Sequence, residues 1–181
     1  MVGDCGLCLA KGVTLLDSHY LPRSLYKLMR DARLSNPHPI LIGGGASRIS
    51  SHQASDYFLC ADCEDRFNKR GEAWVLTNCW RDEHTFKLRD ALLSATPLDG
   101  STGDTKIYLG AQIPEVDPNK LVYFGASVFW RGAARAWEID RMSTPRLPFA
   151  GYEGLFRLFL LDQGPWPDKA VMYIFVGAEM E

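Results

Sequence analysis

Four of the five cysteines fall into two pairs of one spacing, Cys5-Gly6-Leu7-Cys8 and Cys60-Ala61-Asp62-Cys63, with 51 residues between them. A two-residue gap lets both sulfurs of a pair reach one ion from a tight turn. Two such pairs complete a tetrahedral S₄ site, which suits zinc. Gly6 fits a tight knuckle, and the second pair stands where a helix should start. The alternative is two unrelated pairs, one of them a redox dithiol, which leaves the other pair unexplained. The spacing therefore predicts one structural Zn²⁺ held by Cys5, Cys8, Cys60 and Cys63, with Cys79 left over as a buried apolar thiol. Residues 1–70 hold few large apolar side chains for their length. Metal binding can supply the folding energy that such a segment lacks.

Chemistry on a phosphate needs cations and a group that moves protons. Three of the four histidines, His19, His38 and His52, lie within residues 19–53. The same stretch carries Arg23, Lys27, Arg30, Arg33 and Arg48 against the single acid Asp31. It is the one clearly basic stretch, and it reads either as a set of phosphate contacts or as a solvated helix face. Over the whole chain, 20 Lys and Arg oppose 22 Asp and Glu, for a net charge of −2. Binding of nucleic acid through the whole surface is excluded, so any contact must be local. Gly43-Gly44-Gly45-Ala46-Ser47-Arg48 lacks the G-K-[ST] ending of a phosphate loop and reads as a flexible loop. Farther on, Ser127, Arg131, Arg135 and Glu138 share one face of a predicted helix. That face is either ion-paired against a neighbour or an arginine pair lining a groove for an anion.

These residues sit in a chain of 181 residues and 20.3 kDa, with 46% apolar and 23% charged residues. That composition excludes disorder, collagen and coiled coil. The N-terminus has no basic segment followed by an apolar stretch, so no signal peptide is expected. The longest apolar run, Leu121 to Trp130, is about half of a membrane span, so no membrane partner is expected. The expectation is a cytoplasmic protein, where thiols stay reduced and grouped cysteines hold metal more often than they form disulfides.

Helices are predicted over Arg23–Leu34, Asp62–Val75, Glu83–Ser94 and Pro118–Glu138. In the last, Asp117 can cap and Pro118 suits the first turn. A further helix, Tyr152–Leu161, is apolar nearly all round and is expected to be buried. Ala170–Val176, rich in β-branched and aromatic residues, reads as a strand, and Tyr108–Ile113 as another.

Between and just after the cysteine pairs stand Asp17-Ser18-His19-Tyr20-Leu21-Pro22-Arg23 and Leu59-Cys60-Ala61-Asp62-Cys63-Glu64. C-x-x-C, then (D/S)-H-x-x-P, then L-C-x-x-C-E resembles the treble-clef zinc proteins of the HNH endonuclease superfamily, and a bacterial and phage subgroup in particular. The resemblance covers about residues 1–75. It implies a His at the end of a strand that activates water, with neighbouring ligands holding a divalent ion on the scissile phosphate. Position by position, His19 matches the base. Ser18 stands where a metal-binding Asp or His is usual. Glu64 stands in place of a helix His, and Asn68, one turn later, matches the second helix ligand. The Asn that supports the base would fall near Ser55, a departure like that at Ser18. Glu64 and Asn68 are hard oxygen donors of the kind that suits Mg²⁺ or Mn²⁺. Ser127-Val128-Phe129-Trp130-Arg131 is similar to an S-x-x-W-R stretch of the same subgroup. His19 also has a plain structural reading, as a brace for the zinc knuckle or for the following helix.

The expectation is an α+β protein. Residues 1–78 would form a zinc-binding, HNH-like treble-clef unit, and residues 79–181 a mainly helical domain packed on it. The function expected is a metal-dependent nucleic-acid phosphodiesterase. The alternative is a non-catalytic zinc-stapled module that binds nucleic acid or a protein partner.

Overall fold

The computed structural model describes residues 1–28, 38, 40–43, 46–79, 86–101, 103–139, 142–149 and 151–177. Helix and sheet are mixed. The elements run β1 (Val2–Gly3), β2 (Val13–His19), α1 (Arg23–Leu28), β3 (Ile40–Gly43), β4 (Ala46–Ile49), β5 (Ser55–Cys60) and α2 (Ala61–Phe67). A π-helical segment, Asn68–Glu72, leads into α3 (Ala73–Asn78) and α4 (Lys87–Ser94), and Gly110–Gln112 is a single 3₁₀ turn. Then come α5 (Pro118–Ala134), β6 (Glu138–Ile139), β7 (Met142–Ser143) and α6 (Tyr152–Leu160). Two compact units result, Met1–Phe67 with Ala126–Lys169, and Asn68–Gly125 with Ala170–Glu181.

The first unit is built on an antiparallel sheet of order β1-β2-β5. Leu15 lies opposite Cys60 and Leu16 opposite Leu59, but Asp17 lies opposite Tyr57, so Phe58 is passed over in a bulge. Phe58 and Leu59 are consecutive and both buried. A flat strand forbids that, because successive side chains point to opposite faces. The bulge permits it by re-aiming one of them. Phe58 thereby reaches the aromatic core. It stacks on Trp130 at 5.4 Å between centroids and meets Trp137 edge-on at 5.7 Å, while Phe67 meets Trp130 edge-on at 5.9 Å. Helix α6 adds Phe156 and Leu160 to the buried set. Only that face of α6 is inward. Leu155 is 48% exposed, so the expectation of an all-round buried helix is corrected. Glu153 on the same helix accepts the Trp130 indole N–H at 3.0 Å.

Helix α5 starts as its sequence dictates. The Asp117 carboxylate accepts the Lys120 N–H at 3.1 Å, the bond expected of an N-cap one residue before Pro118. It ends at Ala134 rather than Glu138 because the chain turns back to satisfy the last carbonyls of the helix. The Trp137 indole N–H donates to Arg131 O at 2.9 Å, and Leu147 N–H to Gly132 O at 2.9 Å. Arg135 and Glu138 therefore lie beyond the helix, and the four-residue face that includes Ser127 and Arg131 does not form.

In the second unit Leu88, Ile113 and Val116 form a small core, packed by Cys79, Phe86, Leu121 and Val176 among others. Gly71 allows the chain to approach α5 closely, since a Cβ there would come within 2.9 Å of the Phe124 backbone nitrogen. Two strand expectations fail here. Gly110–Gln112 forms the 3₁₀ turn where Tyr108–Ile113 was expected to be a strand, and Pro114 follows directly. Residues 170–176 form no strand, because among the described residues no neighbouring strand offers them a ladder. Met172 and Val176 still turn inward, to Gly125 and to the small core, while Val171, Tyr173 and Phe175 are exposed. The predicted helix 23–34 is described only as Arg23–Leu28, and of 83–94 only Lys87–Ser94 is described as helix. The remainder of 23–34 and residues 83–85 lie outside the described residues. No helix among the described residues is long and apolar enough to cross a membrane.

Candidate metal centre

The first cysteine pair lies in the turn between β1 and β2, closed by Leu9 N–H to Cys5 O at 3.0 Å and Cys5 N–H to Ala10 O at 2.9 Å. Leu9 adopts φ 61°, a left-handed conformation that a branched side chain tolerates only where its surroundings enforce it. The second pair spans a strand-to-helix junction, with Cys60 ending β5 and Cys63 in the first turn of α2. Antiparallel pairing of β2 with β5 brings the two pairs together. Gly6 N–H donates to Phe58 O at 3.0 Å, and Cys60 N–H points at Cys5 Sγ at 3.4 Å.

All four sulfurs lie within 4.8 Å of one another, and those of Cys8 and Cys60 are 3.9 Å apart. Sulfurs about 2.3 Å from a tetrahedral zinc stand about 3.8 Å apart, so the set fits that ion with little adjustment. No disulfide competes, since all five cysteines are free. Cys5 and Cys63 are buried, whereas Cys8 is exposed. Without metal the thiols share protons. A hydrogen bond from Cys63 lowers the Cys5 thiol, and giving that bond raises Cys63. A thiol already held toward its thiolate form suits a metal ligand. The cluster could hold a metal ion such as zinc.

Around the knuckle the structure adds residues that spacing does not announce. Arg157 on α6 donates to Leu7 O at 3.4 Å, inside the first C-x-x-C turn. Asp4 accepts Lys11 Nζ at 2.7 Å and Gly12 N–H at 3.3 Å, and the Lys11 hydrogen bond lowers its carboxyl. Both depend on partners far apart in sequence or across a turn, so no local motif carries them.

His19 is the last residue of β2, opposite Ser55, and is half-buried. Its strand position is four residues from Leu15, which faces Cys60. At about 3.3 Å per residue that separates it from the cysteine end by about 13 Å of strand, so His19 is not a fifth ligand. Its ring makes no hydrogen bond with the described residues. Ser18 is 1% exposed, and its hydroxyl accepts Leu59 N–H at 3.0 Å while donating to Leu16 O at 3.4 Å. Asp56, opposite Ser18, is ion-paired with Arg135, whose guanidinium also lies 5.2 Å from the Phe58 ring centroid. Arg135 thus makes an ion pair in place of the anion groove weighed from sequence. Ser127 and Arg131 are buried, with the Arg131 guanidinium 4.6 Å from the Phe67 ring centroid.

Glu64 is half-buried in the first turn of α2, and Asn68 is exposed at the start of the π-helical segment of the second unit. Arg23 is exposed at the start of α1, Lys27 lies on α1 and Arg48 on β4, while Arg30 and Arg33 lie outside the described residues. Cys79 belongs to the second unit and is half-buried rather than buried as expected, though burial still pushes its thiol up to about 11. Comparison of the chain with family models, curated proteins and solved structures gives no match, so the resemblance rests on the quoted residues alone.

Proposed function

We propose that the four cysteines hold a structural zinc in a treble-clef-like unit of the HNH kind, and that this unit acts on nucleic-acid phosphodiesters with His19 as general base. One observation carries the reading. A knuckle, an antiparallel strand pair and a helix converge on one sulfur cluster, and His19 ends the same strand with its ring unengaged by described residues. Imidazole is the side chain best suited to take a proton from an attacking water near neutral pH. As the water oxygen bonds to phosphorus, the proton passes to the His19 ring and the leaving oxygen departs. The zinc contributes folding energy and takes no part in that step.

A divalent ion, when bound, would neutralise charge on the phosphate. Glu64, in the first turn of α2, is a hard oxygen donor suited to it. Ser18 does not fit such an ion, because its hydroxyl is already engaged on both sides. Arg23, Lys27, Arg30, Arg33 and Arg48 would contact the phosphate backbone.

The Ser18 geometry favours a second reading, in which the module binds nucleic acid without cutting it. One experiment separates the two. The full chain is incubated with plasmid DNA and with single-stranded RNA in Mg²⁺, Mn²⁺ or EDTA, alongside gel shifts over a salt series. Metal-dependent cleavage supports the nuclease. Binding without cleavage, with log affinity falling by roughly 0.9 per phosphate contact for each unit of log salt on duplex DNA, supports the module. Neither binding nor cleavage overturns both.

A further inference from the structure

We infer that Cys8 is a peroxide-modified thiol and that Cys60 resolves it, so that the metal centre converts under oxidant to a Cys8–Cys60 disulfide. The inference rests on the metal-centre reading for its zinc readout, but not for its sulfur chemistry.

The four sulfurs are not equivalent. Cys5 is 1% exposed and Cys63 4%, sealed beneath the knuckle and the first turn of α2. Cys60 is half-buried, and Cys8 alone is exposed. A dissolved oxidant therefore meets Cys8 first, since among sulfurs that a metal holds as thiolates access decides. All three other sulfurs lie within 4.8 Å of Cys8; that of Cys60 is 3.9 Å away, and Cys60 is the one of the three that is not buried. Closing that gap to the bonded length of about 2.05 Å needs a shift of about 2 Å. The partner that must shift is the exposed Cys8 side chain. Cys60 is held by the ladder of β5 and by its N–H contact to Cys5 Sγ.

The chemistry balances with hydrogen peroxide as the oxidant. The Cys8 thiolate attacks one peroxide oxygen, an S–O bond forms, the O–O bond breaks, and hydroxide leaves to be protonated to water. Cys8 is now a sulfenic acid. The Cys60 thiolate attacks Cys8 Sγ, the S–S bond forms, the S–O bond breaks, and a second hydroxide leaves as water. Two thiols are oxidised by two electrons and the peroxide is reduced to two waters. Two of the four donors are then lost, and zinc dissociates. The new bond ties the knuckle to the β5–α2 junction, the same two segments that the metal joins. The oxidised unit therefore keeps a staple between them, which a bond within either C-x-x-C pair would not provide.

The test uses the full chain, purified under reductant and assayed for zinc, then titrated with hydrogen peroxide. Zinc release is followed with a chelating dye, disulfides are located by non-reducing peptide mapping, and melting is recorded before and after. The expected result is release of one zinc per chain in step with a Cys8–Cys60 cross-linked peptide, reversed by reductant and zinc, with Cys79 unmodified. In Cys60→Ser, Cys8 should be trapped by a sulfenic-acid probe. Should that variant misfold, the wild-type peptide map decides alone. A Cys5–Cys8 or Cys60–Cys63 bond, a bridge through buried Cys5 or Cys63, or four reduced thiols after zinc release overturns the inference. A protein isolated without zinc fails the metal reading instead, and its peptide map after peroxide still tests the disulfide.

Discussion

Leu59 donates its backbone N–H to the hydroxyl of Ser18 at 3.0 Å, across the bulge that β5 makes at Phe58. The bulge disrupts the ladder locally, and the hydroxyl supplies the acceptor that Leu59 needs. The serine at this position thereby has a structural role. Ser18→Ala should cost about 1–3 kcal/mol in denaturant unfolding, the penalty of a buried donor left unpaired. Ser18→Asp should also destabilise, because it buries a carboxylate there. A Ser18→Ala protein as stable as wild type would contradict this role.

Gly6 is required for space. A Cβ at that position would lie 2.0 Å from Phe58 Cε2, and the ring is stacked on Trp130 and cannot swing aside. Gly6→Ala should lower stability by about 1–3 kcal/mol, the usual cost of overpacking. It should also weaken zinc retention against a competing chelator. Unchanged melting would mean that the ring has room the structure does not show.

Zinc content should follow acidity with a definite sign. Thiolates bind the metal and thiols do not, so protonation competes and affinity falls as pH falls. Zinc release scanned from neutral to acid should rise steeply toward low pH, and melting temperature should fall with it. Stripping the metal at neutral pH should reproduce the lower melting temperature. A pH-independent zinc content would argue against a four-thiolate site.

His19→Ala should leave zinc content and melting nearly unchanged, within about 0.5 kcal/mol, since the ring is half-buried and makes no hydrogen bond with described residues. If the catalytic reading holds, cleavage should drop about 10²–10⁴-fold. Equal loss of cleavage and of folding would return His19 to the role of a brace.

A fragment of residues 1–78 tests how much of the four-cysteine unit folds alone. It keeps all four cysteines but lacks Trp130, Trp137, Phe156 and Leu160, all buried in the same unit. Losing one large buried aromatic costs about 3–5 kcal/mol, so the fragment should bind zinc yet show broad, non-cooperative melting. A sharp transition would establish 1–78 as an independent domain.

What the sequence makes legible is local. The C-x-x-C spacing, the helix start at the second cysteine pair and the Asp117-Pro118 cap are each written within a few residues, and the structure places them as read. The bulge at Phe58 is not legible, because nothing in Tyr57-Phe58-Leu59 says which residue the ladder will omit. Nor is the convergence of Trp130 and Trp137 on Phe58, which comes from chain some 70 residues away. Residues 170–176 show the opposite error. Their composition suits a strand, but a strand also needs a neighbour, and composition carries no information about one.

The first unit draws its parts from two stretches, and this sets an order of events during synthesis. Cys63, the last of the four cysteines, is 97 residues ahead of Leu160, which completes the buried set on α6. At about 5–20 residues per second, the ribosome needs roughly 5–20 s to cover that distance. For the first 67 residues of that stretch the nascent chain holds all four thiols but lacks Trp130, Trp137 and α6 to cover Phe58 and the knuckle. Metal capture on the ribosome would hold the two knuckle segments together until their cover emerges. A cell short of zinc would then lose newly made copies before it stripped mature ones.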